Sequence, residues 1–162
     1  MYRPGHYGVA LLVYAPLGFV VASAGYEPAA IVGCVTVLAL STLPDYDQRV
    51  PALEHRGPTH TFAFAALVGV ALAGVAALLV GEGVAFAGLG VVGFAFAVGS
   101  LSILSHLLAD ALTPAGIRPF WPLSNRRYSV SLTRASNVVA NYALLGLGLA
   151  VALLAAVLAI SY

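Results

Sequence analysis

The sequence contains no lysine and a single cysteine, and only 8% of its 162 residues are charged. Each scarcity excludes something. One thiol, Cys34, cannot form an intramolecular disulfide or a thiolate zinc site, and its place inside an apolar run reads as packing. So little charge, set against 61% hydrophobic residues, cannot coat a water-soluble domain of this size. A G-x-x-x-x-G-K-[ST] stretch is also missing, so the glycines within the apolar runs read as sites of close helix packing and not as phosphate loops. No internal repeat stands out.

What is present is five apolar segments, about 7–24, 28–43, 61–80, 84–112 and 138–160, each long enough to span or nearly span a bilayer. The expected fold is all-α: a polytopic membrane bundle of about five transmembrane helices, forming a single integral membrane domain over residues 1–162. Arg3 ahead of a run ending Ala22-Ser23-Ala24 also matches a signal peptide, but Pro16 inside the run favours a retained anchor. All seven basic residues, Arg3, Arg49, Arg56, Arg118, Arg126, Arg127 and Arg134, fall on one side of a five-span topology. The positive-inside rule makes that side, with the amino terminus, cytoplasmic, and it leaves Glu27 and Glu82 outside.

Polar islands interrupt the apolar runs. In His55-Arg56-Gly57-Pro58-Thr59-His60, Gly57-Pro58 marks a helix start and places His60 in the first turn of the third span. Asp45 and Asp47 follow Pro44, where the second span breaks. Alternating acids in an extended segment would let one bind metal while the other bridges or orients a histidine, unless they cap a helix end or pair with Arg49. In the fourth span Gly99, Ser102, His106, Asp110 and Thr113 share one helical stripe. His106 and Asp110, one turn apart, form two ligands, a ligand with its supporting carboxylate, or a buried hydrogen bond that stabilises the bundle. Asp110 would cost about 2.5 to 3.5 kcal/mol facing lipid at mid-bilayer, so it is expected to face inward. His6 lies just before the first span at the same level.

The segment after Thr113 is rich in proline, with Phe120 and Trp121 suited to the headgroup layer. Its Arg126 and Arg127, with Arg134, form a basic patch that serves topology and anionic lipid, or else binds substrate phosphate or carboxylate. Ser136 is the expected N-cap of the last span, and Asn137 and Asn141 are placed to bond across helices or reach the site.

His6, Asp45, Asp47, His55, His60, His106 and Asp110 thus gather at one membrane level, enough nitrogen and oxygen donors for two divalent ions. The donor chemistry suits zinc, with manganese or iron as alternatives, and an open position would activate water. His55, His60, His106 and Asp110 are expected to share one coordination volume.

Gly5-His6, Leu43-Pro44-Asp45-Tyr46-Asp47, the run from His55 to Thr61 and the run from Ser105 to Gly116 closely resemble the YdjM family of inner-membrane metal-dependent hydrolases. The resemblance covers residues 5–122 in order. It implies metal ligands at His6, Asp45, His55, His60, His106 and Asp110, at the cytoplasmic face of the inner membrane. Asp47 matches the motif with a less defined role, and the loop between Asp47 and His55 is shorter than is common in the family. A looser similarity in the His-x-x-x-Asp spacing connects the pattern to zinc-dependent phospholipases C.

The expected function is hydrolysis of a phosphate ester or related bond in a lipid or membrane-adjacent substrate, with Arg56 and Asp47 as catalytic residues. Arg56 is assigned to chemistry because a guanidinium has no lone pair for a metal. A metal or proton transporter is the alternative, although the middles of the spans carry few polar groups. A metal-stabilised scaffold for a cytosolic protein is the third reading, suggested by the family's association with the LexA repressor. The expected partners are lipid and such a protein, with no direct nucleic-acid contact.

Overall fold

Inside a bilayer every backbone N–H and C=O must be satisfied within the chain, and apolar runs of this length satisfy them as helices. The computed structural model, which describes residues 1–51, 54–80 and 90–161, has α1 (Arg3–Ser23), α2 (Glu27–Leu40), α3 (Phe62–Val80), α4 (Gly90–Ala111) and α5 (Val138–Ser161). All five are long and apolar enough to cross a membrane once α2 is taken with the 3-10 segment Leu43–Arg49 that prolongs it. No strand occurs among the described residues, only an isolated backbone bridge between Ile117 and Tyr128. Glu82 and the expected start of the fourth span at 84 lie outside the described residues.

Four local expectations are corrected. His6 is inside α1, not ahead of it, because Pro4 sits in the first turn, where a missing N–H costs nothing. Asp45 and Asp47 lie on the 3-10 segment and not on an extended one, since Pro44 opens that segment instead of ending the chain's helicity. His60 ends a separate 3-10 turn, Pro58–His60; Thr61 is extended, and its hydroxyl oxygen accepts the Phe64 N–H at 3.0 Å, which makes it the cap of α3. At α5 the cap is Asn137, whose Oδ1 accepts the Ala140 N–H at 3.1 Å, and not Ser136.

Helix α1 packs on α5, α2 and α4, and α3 packs on α4. Two of these contacts need glycine. A side chain at Gly8 would collide with the Leu144 backbone of α5, and one at Gly99 would come within 2.9 Å of the Gly69 Cα on α3. Gly74 and Gly146, by contrast, face open space. Ala10, Tyr14 and Val21 of α1, Ala30 and Val37 of α2, and Phe94 and Val98 of α4 form the main apolar core. At the end where α1, α3 and α5 begin, buried Asn141 ties α1 to α5: its Oδ1 accepts the Tyr2 N–H at 3.0 Å, and its Nδ2 donates to the Ala135 and Asn137 carbonyls. The polar islands collect at this same end.

Candidate metal centre

Four chain segments supply the side chains. The first turns of α1 bring His6, the 3-10 extension of α2 brings Asp45 and Asp47, the loop before α3 brings His55 and His60, and the last turns of α4 bring His106 and Asp110. His6, His60 and His106 are wholly buried, Asp110 nearly so, and the expected stripe of Gly99, Ser102, His106, Asp110 and Thr113 faces inward throughout. Asp45 and His55 keep partly exposed side chains, 27% and 41%, so the cluster opens on their side.

Hydrogen bonds fix which nitrogens are free. The Ser41 carbonyl, one of the last on α2 without an intrahelical partner, can only accept, so His106 Nδ1–H donates to it at 2.7 Å and Nε2 keeps its lone pair. Thr59 donates its hydroxyl to Asp47 Oδ2 at 2.9 Å, which leaves its oxygen to accept His60 Nδ1–H at 3.0 Å; His60 Nε2 is then also bare. These two bare nitrogens face one another at 3.1 Å. In neutral imidazoles that contact is repulsive, and a cation between them removes the repulsion. His6 gives a second sign: both its ring nitrogens are buried with no hydrogen-bond partner.

The carboxylates stand at ligand spacing from these nitrogens. Asp45 Oδ1 is 3.8 Å from His60 Nε2 and 3.7 Å from His106 Nε2, and Asp110 Oδ2 is 3.9 Å from both. His6 Nε2 lies 3.6 Å from Asp110 Oδ1 and 3.9 Å from Asp45 Oδ2. Too long for good hydrogen bonds, such distances suit donors grouped around an ion. Three overlapping sets meet that condition: His6, Asp45 and His106; Asp45, His55 and His60; and His60, His106 and Asp110. The residues present therefore fit a metal, in a donor set of nitrogen and oxygen alone.

Two expectations change here. His55 groups with Asp45 and His60, not with His106 and Asp110, because its Nδ1–H is drawn to Asp47 Oδ1 at 2.9 Å. Asp47, expected among the catalytic residues, is 2% exposed, and both its oxygens are committed: Oδ1 to His55, Oδ2 to Thr59 and to the Arg56 N–H at 3.2 Å, with His60 Nδ1 at 3.3 Å. Its buried carboxylate is placed to orient His55 and His60 through their Nδ1 edges.

Arg56 adopts a left-handed backbone (φ 64°), and its guanidinium donates through Nη1 to the Gly116 carbonyl at 3.0 Å and pairs through Nη2 with Asp110 Oδ2 at 3.1 Å. The pairing is with Asp110 and not with the nearer-in-sequence Asp45 or Asp47. The Met1 nitrogen also contacts Asp110, at 2.7 Å from Oδ1. Sequence reasoning missed Ser41 and Thr59, which set the histidine tautomers. Ser41 acts through its backbone, which no side-chain motif reveals, whereas Thr59 stands inside the His-to-His run and was open to suspicion.

A five-helix bundle whose buried end carries a metal-competent cluster of histidines and aspartates is an integral membrane protein built around that cluster. The chain belongs to the YdjM inner membrane protein family, whose family model matches residues 1–162. It is thereby an inner-membrane protein. No curated protein and no solved structure matches it.

Proposed function

We propose that this protein is a metal-dependent hydrolase acting at the cytoplasmic face of the inner membrane on a phosphate ester, or related bond, of a lipid or membrane-adjacent substrate. The observation that carries this reading is the pair of bare nitrogens of His60 and His106 facing each other among carboxylates. His6, Asp45, His55, His60, His106 and Asp110 would hold one or two divalent ions, with zinc favoured by a donor set of imidazoles and carboxylates. A zinc ion held there would supply Lewis acidity toward a phosphoryl oxygen and would lower the pKa of water toward neutrality. Everything else falls to the chain. Asp47 and Thr59 hold His55 and His60 in the tautomers that keep their Nε2 atoms bare. Arg56, anchored on Gly116 and Asp110 at the open edge, presents its remaining N–H donors to negative charge developing on a substrate.

Metal analysis of the purified protein, followed by a screen of phosphodiesters, phosphomonoesters, amides and lipid extracts, tests the reading. The expected result is bound zinc together with turnover of a phosphate ester, both abolished in His60→Ala. Bound metal without turnover of any substrate would instead fit a scaffold, and metal flux into proteoliposomes a transporter.

A further inference from the structure

Beside the cluster lies a pocket of about 90 Å³, lined by Glu54, His55, Arg56, Gly116, Arg118 and Arg127. It is far smaller than a drug-sized cleft yet holds several times the space a single water needs. A group the size of phosphate fits it. Arg118 is already neutralised by Glu54, through Nη2 to Oε1 at 2.7 Å, and Arg56 is shared with Asp110. Arg127 has no partner among the described residues. The pocket therefore carries uncompensated positive charge, next to a guanidinium that touches the metal cluster.

The walls are fixed in place. Ile117 and Tyr128 exchange both backbone hydrogen bonds, at 3.0 and 2.9 Å, and this antiparallel bridge sets the backbones of Arg118 and Arg127 opposite one another in the next position. Gly116 is required there, since its φ is +61° and a side chain would collide with the Tyr128 carbonyl. Phe120 packs edge-on against both Phe62 and Tyr128 and holds the segment to the start of α3. In the same loop Leu123, Val130 and Leu132 are 94%, 68% and 73% exposed. Large aliphatic side chains projecting beside arginines belong at the boundary of hydrocarbon and headgroups.

We infer that the pocket formed by Arg56, Arg118 and Arg127 binds the phosphate group of a ligand and presents it to the metal cluster. The inference deepens the proposed hydrolase and rests on it for what the phosphate meets next. Arginine suits the task because its planar donors match phosphate oxygens and stay charged. The phosphate could arrive on a lipid headgroup or free in solution.

The test uses chelator-treated, full-length protein in phosphatidylcholine nanodiscs, so that a metal cannot itself capture the probe. Binding of inorganic phosphate and of dihexanoyl phosphatidic acid is followed by phosphorus NMR in wild type, Arg127→Gln and Arg134→Gln. Arg127→Gln is expected to weaken binding about tenfold or more, the loss of a charge-assisted contact, while Arg134→Gln, outside the pocket, changes it less than about twofold. Arg127-dependent binding of the lipid alone makes the source a headgroup; of inorganic phosphate alone, a soluble species; of both, the shared phosphate. No binding of either probe, binding indifferent to Arg127→Gln, or equal losses in the two variants would overturn the pocket, the last by showing diffuse membrane electrostatics. Metal content and turnover, measured separately on untreated protein, report on the hydrolase and can fail while the pocket stands.

Discussion

At the scale of single residues the decisive feature is Asp47, a carboxylate that touches the histidines only through their Nδ1 edges. Asp47→Asn keeps the shape but can place an amide N–H opposite the donors His55 Nδ1–H and Thr59 O–H, so His55 loses its acceptor directly and His60 loses the orientation that Thr59 relays. Metal affinity is expected to fall by about 10- to 100-fold with the fold retained, as read by titration against a competing chelator. An unchanged affinity would return Asp47 to the catalytic role the sequence suggested. Arg56 divides the two functions in the opposite way. Arg56→Lys should keep full metal content, since the guanidinium is no ligand, while turnover drops by about tenfold or more with loss of the fork. Near-normal rates in Arg56→Lys and Arg56→Ala would show that the arginine only holds Gly116 and Asp110 together.

At the scale of elements, close packing is confined to particular glycines. Gly8→Ala would gain about 0.5 to 1 kcal/mol from helix propensity yet meets the α5 backbone, so overpacking of about 1 to 3 kcal/mol wins and the variant should unfold at lower temperature in detergent. Gly74→Ala, into open space, should match wild type or exceed it. Equal behaviour of the two would refute the α1–α5 contact. The sequence showed that glycines mattered but not which ones, because composition does not reveal which face of an apolar helix meets a neighbour. The inward stripe of α4 was legible because polar residues at helical spacing have nowhere else to go in lipid. The register around Pro44 and His60 was not: a proline both ends one helix and opens the next, and here it opens 3-10 segments whose side chains point where an extended strand would not send them.

At the scale of the molecule, five spans and the meeting of four polar islands at one end could be read from hydropathy and spacing alone, and connectivity does the rest. The side of the membrane on which that end lies is tested by thiol labelling in a Cys34→Ser background. Arg3→Cys should resist a membrane-impermeant reagent added to intact cells while Ser161→Cys reacts; labelling of both from one side would break the five-span topology. What the sequence could not show is that α5, which bears none of the candidate ligands, holds the helix that bears His6, through Asn141 and the contact at Gly8. This support has a consequence in time. A chain still being synthesised has already made every candidate ligand before α5 leaves the ribosome, yet until then α1, though it can pack on α2 and α4, lacks the partner that meets it at Gly8 and Asn141. Completion of the cluster is thus deferred until the last helix is in place, and a truncated product ending before 138 would carry all the candidate ligands around an unfinished centre.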